Sequence, residues 1–391
     1  MSTTGYAYPW DYLDDDEAAP RAASLGIDVV AVAATYHATR VATPLHPTRR
    51  ITEIPHSAAY FALRDEIWHG HRLQPRPPLD WIGPDSFERA RERLSREGLG
   101  VDGWMVLTHD DNLGDASRDL LVRNAYGETY SYALCPRNDD VRDFCRTLVQ
   151  EVLRVGGLRG VVLEASGPMG LDHGGTHDKI AMARWSSIER QLLSICFCRA
   201  CEVALTNVGV DPTELSRRIR EGLAHGVTSM DEGLGDDASA VAAYRVSLST
   251  DLQRELMDAA RAIDSGATLT LHASASPWAT GSFPASSPGV LTNATCAVAN
   301  CWNPQDAANE LRGLGTMTRE LGAYLRLDHE WDRVDDDLAR LASLGVRELH
   351  LYHLGLMSPS SAESAARIVT LWNSRVDTSD MDQVEESLND G

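Results

Sequence analysis

The chain has 391 residues, of which 43% are hydrophobic and 24% are charged, a balance typical of a soluble globular protein with a large core. Its formal net charge of −21 argues against nucleic acid and anionic membrane surfaces as partners, because both require basic patches on the protein. The first residues lack the basic region and apolar core of a signal peptide, and no segment approaches the roughly 20 apolar residues of a membrane span. The sequence therefore predicts a cytoplasmic protein and leaves self-association into a homo-oligomer open.

Apolar segments with the composition of β-strands alternate with helix-like segments, which is the pattern of parallel βα units. The predicted strands are residues 5–8, 27–36, 101–108, 158–163, 267–271, 295–300, 323–327 and 348–352. The predicted helices are residues 15–25, 84–97, 139–155, 238–264, 304–321, 335–344 and 361–374. Segment 295–300 also fits a loop. Strands separated by helices in this way indicate the α/β class and a single closed (β/α)8 barrel, the TIM barrel.

Three of the predicted connections are long: residues 37–82, 109–137 and 164–184, which follow the second, third and fourth strands. All three would lie at the catalytic face of the barrel, where loop length builds substrate pockets. We therefore predict one barrel domain, residues 1–375, with insertions after these strands. Residues 376–391 include six acidic residues and no basic one, which predicts a disordered tail.

Four of the seven cysteines have a spacing that is typical of a metal site. Cys196, Cys198 and Cys201 lie within six residues, and Cys135, in a Cys-Pro segment, could supply a fourth ligand. Thiolates two to four residues apart commonly form one corner of a tetrahedral zinc site. The spacing predicts a structural zinc ion, with ordinary buried thiols as the alternative. A catalytic cysteine is not favoured, because nothing nearby resembles a nucleophile paired with a base.

Polar residues follow most of the predicted strands, at the end where an α/β barrel has its active site. Glu164 follows the fourth strand, and Asp328 follows the seventh. The candidate substrate-binding residues near the other strand ends are Trp10, Asp11, His37, His109, Asp110, Asn112, His272 and His353. Because histidines lie at four strand ends on one side of the barrel, the set favours a functional site over isolated packing residues.

Glycosidic bonds are usually cleaved by two carboxylates, one acting as acid and the other as nucleophile or base. Glu164 suits the role of the acid, because the apolar residues 161–163 beside it would raise its pKa. Asp328 is the predicted second carboxylate, since it directly follows a strand-like segment. Glu330 and Asp110 are the alternatives for this second role.

The order of these motifs resembles glycoside hydrolase family 42, the β-galactosidases. The shared features are Cys135-Pro136, a strand that ends in Glu164, and the segment Cys196-x-Cys198-x-x-Cys201. The resemblance implies that the four cysteines share a structural zinc ion and that Glu164 is the acid/base. Two features differ. Leu163 stands where the family has an asparagine that contacts the sugar 2-hydroxyl, and the family's spacing from glutamate to cysteines is much shorter.

A fuller pattern is similar to that of a group of uncharacterised bacterial glycosidase-like barrel proteins. It comprises Asn124-Ala-Tyr-Gly127, Leu134-Cys135-Pro136, Leu163-Glu164, His173, His177-Asp178-Lys179 and the three-cysteine segment. This similarity is strongest over residues 100–205 and weaker towards both ends of the chain.

The leading interpretation is a glycoside hydrolase-like enzyme that acts on a small glycoside, an oligosaccharide or a sugar-containing metabolite. One alternative is a metal-dependent hydrolase or isomerase, with a divalent ion held by some of His37, His109, Glu164, His272 and His353. Another is a non-catalytic sugar-binding barrel, since the chain lacks the asparagine before Glu164.

Overall fold

The computed structural model describes residues 1–172, 179–327 and 333–389. The strands are β1 (Ser2–Ala7), β2 (Val29–Tyr36), β3 (Thr39–Ala42), β4 (Ile51–Ile54), β5 (Ala58–Ala59), β6 (Gly100–Val106), β7 (Leu121–Arg123), β8 (Thr129–Leu134), β9 (Gly160–Glu164), β10 (Thr268–His272), β11 (Cys296–Asn300), β12 (Leu321–Arg326) and β13 (Val346–Tyr352). The α-helices are α1 (Ala18–Ser24), α2 (Asp65–Trp68), α3 (Ser86–Arg96), α4 (Asp111–Ala116), α5 (Asp139–Val155), α6 (Ser187–Leu193), α7 (Arg199–Asn207), α8 (Pro212–His225), α9 (Met230–Leu234), α10 (Ala238–Ile263), α11 (Pro288–Leu291), α12 (Pro304–Gly315), α13 (Val334–Ser343) and α14 (Pro359–Asn389).

Eight parallel strands form a closed barrel. Their order around the ring is β1, β13, β12, β11, β10, β9, β6 and β2, and the pairing of β1 with β2 closes it. The short strand β5 adds to β2 in the antiparallel direction. The predicted TIM barrel is therefore confirmed, and each of the predicted strands overlaps one strand of the ring. The segment that also fitted a loop forms β11.

The apolar composition of the strands follows from their burial. All eight residues of β2 are buried, as expected for a parallel strand with helices outside it and side chains inside the barrel. Strands β9 and β10 approach each other so closely at Gly160 that a Cβ there would lie 1.9 Å from the carbonyl oxygen of Thr268. Only glycine allows this pairing.

The long connections contain more regular structure than predicted. The connection after β2 includes the hairpin β3–β4, and the connection after β6 includes α4 and the hairpin β7–β8. Helices α6 to α9 follow β9 and enclose a small hydrophobic core that contains Leu192, Leu205 and Leu215. The hairpins escaped prediction because their strands have only three to six residues and little apolar alternation.

The last helix, α14, packs Ile368, Val369 and Trp372 into the main core. Its bounds extend to Asn389, so the backbone of most of the segment for which disorder was predicted is helical. Residues 390 and 391 lie outside the described residues, and the boundary between barrel and tail stays a prediction. Among the described residues, no helix combines the length and apolar character needed to cross a bilayer.

Candidate active site

Glu164 is the last residue of β9, and its side chain is only 7% exposed. Its Oε2 accepts a hydrogen bond of 2.6 Å from the indole Nε1 of Trp104 on the neighbouring strand β6. Burial raises the pKa of Glu164 to about 7, although hydrogen bonds with Ser282 and Trp104 act in the opposite direction. A carboxyl group with this pKa can hold a proton or release it near neutral pH, as a general acid/base requires.

His272, at the end of β10, lies beside Glu164 inside the barrel. Its Nδ1 is 3.6 Å from Oε2 of Glu164, and its Nε2 is 2.8 Å from the hydroxyl of Tyr6. The same hydroxyl lies 3.1 Å from Nδ1 of His350. Burial holds the pKa of His272 well below its usual value, so the imidazole is neutral at physiological pH. The histidine beside Glu164 is therefore neutral and does not stabilise the ionised carboxylate as a cation would.

Aromatic rings extend from this point towards the open end of the barrel. Phe283 stacks on His272 with ring centroids 4.4 Å apart, and Tyr324 lies 4.8 Å from the same ring. Trp302 stacks on Tyr324 at 5.8 Å and remains 39% exposed. The guanidinium of Arg326 lies 5.2 Å from the Trp302 ring. The exposed end of this aromatic series is Trp302.

Trp302 lines two cavities. One, of about 400 Å³, is also lined by Ser282 and Phe283. The other, of about 510 Å³, is also lined by Tyr352 and His353. Glu164 lines neither of these cavities, but Ser282, which lines the smaller one, is hydrogen-bonded to it. The smaller cavity is thus connected to the carboxyl group through one side chain.

The backbone turns sharply after Glu164. Ala165 has a φ of 51°, in the left-handed region that non-glycine residues rarely adopt. The hydroxyl of Thr108 donates to the carbonyl oxygens of Ala165 and Gly167, each at 2.8 Å. Such strained residues persist where the surrounding contacts fix them, and they concentrate at functional sites. This local strain is consistent with a functional role for the end of β9.

Asp11 and His353 form a second buried pair, between the ends of β1 and β13. Oδ2 of Asp11 accepts a hydrogen bond of 2.8 Å from the backbone N–H of Tyr8 and lies 3.9 Å from Nδ1 of His353. Burial raises the pKa of Asp11 to about 7 and lowers that of His353 to about 3. Trp10 is buried and stacks on Tyr8 at 4.4 Å. Of these predicted residues, His353 lines the larger cavity.

The predicted residues after β2 and β6 have local partners. His37 stacks on His109 with ring centroids 4.2 Å apart. Asp110 caps α4, because its Oδ1 accepts a hydrogen bond from the backbone N–H of Leu113 at 2.9 Å. Asn112 donates to the carbonyl oxygen of Ser57 at 3.1 Å. Asp110 therefore caps α4, and burial raises the pKa of its carboxyl group to about 7.

The predicted second carboxylate, Asp328, and its alternative Glu330 lie outside the described residues. Sequence reasoning missed several residues around Glu164: Tyr6, Trp104, Ser282, Tyr324 and Trp302. Some of them could have been found from the two-residue alternation of β-strands. This alternation places the side chains of Tyr6 and Tyr8, in the first βα unit, on the same side of the chain. Ser282 carried no signal, since it lies ten residues beyond the end of β10.

The four cysteines of the predicted metal site meet in one buried cluster, although they come from two insertions. Cys135 follows β8, Cys196 and Cys198 precede α7, and Cys201 lies in α7. The Sγ atom of Cys135 is 3.5 Å from that of Cys201, 3.6 Å from that of Cys198 and 3.8 Å from that of Cys196. In a tetrahedral site with Zn–S bonds of about 2.3 Å, neighbouring sulfurs are roughly 3.8 Å apart. The cluster could hold a metal ion.

The groups around the cysteine cluster suit negatively charged sulfur. The backbone N–H groups of Arg123 and Cys198 donate to Sγ of Cys196 at 3.5 and 3.4 Å. Burial lowers the pKa of the Arg245 guanidinium to about 10, whereas Cys196 and Cys201 act to raise it. A buried cation near the cluster compensates part of the charge that thiolates bring into the protein.

The alternative metal centre built from strand-end histidines is not supported by this geometry. Within the described ranges, two groups of three or more side chains come close enough to share an ion. One is the cysteine cluster, and the other consists of Cys296, Glu348 and His350. Neither includes Glu164 or His272.

Comparison with known proteins links the chain to solved structures only. No protein-family model matches it, and no curated protein sequence matches it either. Its structure is similar to α-L-fucosidase isoenzyme 2 from Paenibacillus thiaminolyticus, with a TM-score of 0.56 and 14% identity over 95% of this chain and 49% of that chain. It is similar to the catalytic domain of β-amylase from Paenibacillus polymyxa, with a TM-score of 0.57 and 11% identity over 92% of this chain and 94% of that chain.

A family 42 β-galactosidase, Gan42B from G. stearothermophilus, is also similar, with a TM-score of 0.54 and 9% identity over 95% of this chain and 56% of that chain. The chain thus spans about half the length of the fucosidase and of this β-galactosidase. At these identities the likeness shows the fold alone. The chain is a (β/α)8 barrel whose structural neighbours are glycoside hydrolases.

Proposed function

We propose that this protein is a glycoside hydrolase that acts on a small glycoside or an oligosaccharide. The observation that carries the proposal is the position and state of Glu164. It lies at the carboxyl end of a barrel strand, its pKa is about 7, and Ser282 connects it to a cavity lined by aromatic rings. The similarity of the fold to glycoside hydrolases supports the same reaction class.

Glu164 acts as the acid/base in this proposal. Protonated, it donates a proton to the oxygen of the departing group as the glycosidic bond breaks. The indole of Trp104 donates to Oε2 and so stabilises the carboxylate that remains. His272 is neutral, so its ring does not hold the carboxyl group permanently ionised. Burial and the two hydrogen bonds together keep the pKa near the pH at which the group must exchange protons.

Asp328 is the proposed second carboxylate. In sequence it follows Arg326, the last residue of β12, by two positions. Strands β9 and β12 are separated around the ring by β10 and β11, so groups at their ends can face each other across the barrel mouth. As nucleophile or base, Asp328 would act on the anomeric carbon, directly or through water. The separation of the two carboxyl groups would decide between retention and inversion.

Trp302 is the proposed sugar platform. Sugar rings present C–H groups on one face, and ligand sites combine apolar and aromatic walls with a few polar groups. Trp302 is 39% exposed, stacks on Tyr324 and lines both cavities. A substrate longer than one sugar could therefore occupy both cavities and contact this ring in between.

The cysteine cluster holds a structural zinc ion in this proposal. Cys135, Cys196, Cys198 and Cys201 supply four thiolates at separations that match tetrahedral zinc, so no position remains for a substrate. The ion would fasten α7 to the β7–β8 hairpin, and these two insertions follow adjacent strands of the barrel. Its role would be to fix loops around the mouth of the active site.

The experiment compares wild type with Glu164→Gln on aryl glycosides and on oligosaccharides. General acid catalysis contributes about 10²–10⁴-fold, so hydrolysis of substrates with poor leaving groups should fall by that factor. Aryl glycosides with good leaving groups need less protonation and should lose less. Asp328→Asn should slow both substrate types. The matched control is Glu97→Gln, the same chemical change at an exposed residue that follows α3.

Three outcomes would count against the proposal. Equal activity of Glu164→Gln and wild type on a confirmed substrate would remove this residue from the mechanism. Hydrolysis that mild chelation abolishes would favour a metal-dependent hydrolase. Oligosaccharide binding without hydrolysis, in protein with intact metal content, would favour a sugar-binding barrel.

A further inference from the structure

A second group of metal-ligating side chains lies inside the barrel and has no part in the proposed glycosidase site. It consists of Cys296 on β11 and Glu348 and His350 on β13. One ligand atom from each residue lies within 4.8 Å of the others. We propose that these three residues bind a divalent transition-metal ion, with zinc the best match to their chemistry. This inference does not depend on the proposed function.

The distance between the histidine and the glutamate favours a shared ion over direct hydrogen bonding. Nε2 of His350 is 3.5 Å from Oε2 of Glu348, whereas hydrogen bonds of this type are about 2.7–3.2 Å long. Two ligand atoms at about 2.0–2.1 Å from a tetrahedral zinc ion are roughly 3.4 Å apart, by the geometry of such sites. The observed separation matches that expected for two ligands of one ion.

His350 is oriented as a metal ligand. Its Nδ1 lies 3.1 Å from the hydroxyl of Tyr6, and its ring is 1% exposed. Its Nε2 is buried and lies 3.5 Å from Oε2 of Glu348, which is longer than an ordinary hydrogen bond. Histidines that bind metals usually hold one ring nitrogen with a partner and present the other to the ion. Tyr6 would act as that partner and would direct Nε2 towards Cys296 and Glu348.

A glycine on the neighbouring strand leaves space at the ligand atoms. A Cβ on Gly322 of β12 would lie 3.0 Å from Nε2 of His350 and 3.1 Å from Sγ of Cys296. The two ligand atoms therefore converge on the one position of the strand that lacks a side chain. Glu348 is the most accessible of the three, with 25% of its side chain exposed, so the group is in contact with solvent on the Glu348 side.

The ligand set determines which ions fit. Thiolate, imidazole and carboxylate together suit zinc, and they also bind cobalt and iron. Calcium and magnesium prefer oxygen ligands and would bind poorly. Three protein ligands leave a fourth position, which in zinc proteins is commonly filled by water. The site differs in this respect from the cysteine cluster, where four thiolates complete the coordination.

The experiment counts metal ions in full-length protein grown with added zinc and then dialysed against a weak chelator. Wild type should hold two zinc ions per chain, on the ligand arithmetic of two sites. Cys296→Ser and Glu348→Gln should each hold one. The matched control is Cys301→Ser, because Cys301 is also a buried cysteine at the end of β11 and does not belong to the group. This control should retain both ions.

Gly322→Ala tests the space at the site without changing a ligand. The added methyl group should reduce the content from two ions to one while the far-ultraviolet circular dichroism stays that of wild type. Cobalt loading separates the two sites, since four thiolates give stronger sulfur-to-cobalt absorption than one. Cys296→Ser should remove only the weaker component, and Cys201→Ser should remove the stronger.

One ion per chain in wild type, unchanged in folded Cys296→Ser and Glu348→Gln, would overturn the inference. The three residues would then be an ion pair beside a buried thiol. Loss of metal in Cys201→Ser combined with a second ion that depends on Cys296 would support both sites. The count therefore separates failure of this inference from failure of the proposed cysteine-cluster zinc.

Discussion

The cysteine cluster and the surroundings of Glu164 are both buried and polar, but they are built in opposite ways. The cluster joins two insertions at the barrel mouth, and every sulfur lies within 4.8 Å of the others. Glu164 instead lies among groups from separate barrel strands, with a neutral histidine 3.6 Å away and a raised pKa. The sulfurs of the cluster are placed where they could share a metal ion, whereas the ionised form of Glu164 is destabilised by its burial. In the proposed function, one region would hold a structural ion and the other would exchange protons.

The largest expected effect follows from removing a sulfur from the cluster. Cys201→Ser should lose about one zinc ion per chain and several kcal/mol of folding free energy, because a structural zinc ion in small domains contributes about 10–16 kcal/mol. Cys145→Ser, a change at a buried cysteine of α5 outside the cluster, is the control. Metal content and thermal unfolding measure the effect. A stable Cys201→Ser protein with unchanged metal content would show that the cysteine cluster does not stabilise the fold through a bound ion.

The next effect concerns stability against pH at Glu164. Its pKa is raised from 4.5 to about 7, so the folded state binds the proton more tightly than the unfolded state. The stabilisation from this proton is complete below pH 4.5 and is lost as pH rises through 7. Glutamine cannot ionise, so Glu164→Gln should gain roughly 2–3 kcal/mol relative to wild type between pH 5 and 8, at about 1.4 kcal/mol per pKa unit.

Urea unfolding of both proteins at several pH values measures this gain, with Glu97→Gln as the exposed control. A difference between Glu164→Gln and wild type that does not change with pH would mean that Glu164 is not destabilised by burial. Glu164 would then no longer differ from the cysteine cluster in being destabilised by its burial.

A smaller effect is expected at Trp302. Trp302→Ala should weaken oligosaccharide binding about 5–30-fold, which corresponds to ~1–2 kcal/mol, with little change in stability because the ring is partly exposed. Trp81→Ala is a close match, since Trp81 is 41% exposed and has the guanidinium of Arg49 at 4.5 Å from its ring. Calorimetric titration with oligosaccharides compares the two. Equal losses in both variants would remove Trp302 from the site.

The smallest effect is expected at Asp110. Asparagine caps helices about as well as aspartate, so Asp110→Asn should keep the cap of α4, whereas Asp110→Ala should lose the cap at a cost of ~1 kcal/mol. Neither variant should lower the rate of hydrolysis by more than a few-fold if capping of α4 is the role of this residue. A hundredfold loss of rate in Asp110→Asn would instead identify it as the second carboxylate.

The difference between the two regions also explains what could be predicted from the sequence. Cys196, Cys198 and Cys201 are close along the chain, so their spacing alone indicated a shared site. The barrel strands were equally evident, because strands buried on both faces are continuous apolar segments. Glu164 was found because it ends such a segment.

The contacts that tune Glu164 were not predictable in this way. Trp104, Ser282 and Tyr6 belong to different βα units, and only the closed ring brings them together. Local patterns also could not reveal that Asp110 and Asn112 serve α4 and the loop beside it, because the helix has six residues and little periodicity. The sequence therefore indicated which side chains form the candidate site. The contacts that each of them makes depend on the register of the strands, which the sequence did not reveal.

The closure of the ring has a consequence for synthesis of the protein. β1 pairs with β13 from Ser2 with Glu348 to Gly5 with Leu351, so this link of the ring joins two strands that lie far apart in the sequence. A ribosome releases the amino-terminal strand long before β13 exists, and until then two strand edges stay unpaired. Contacts this distant in sequence form late and slowly. We expect nascent chains that stop before β13 to aggregate or recruit chaperones, and completion of the last βα unit to end that exposure.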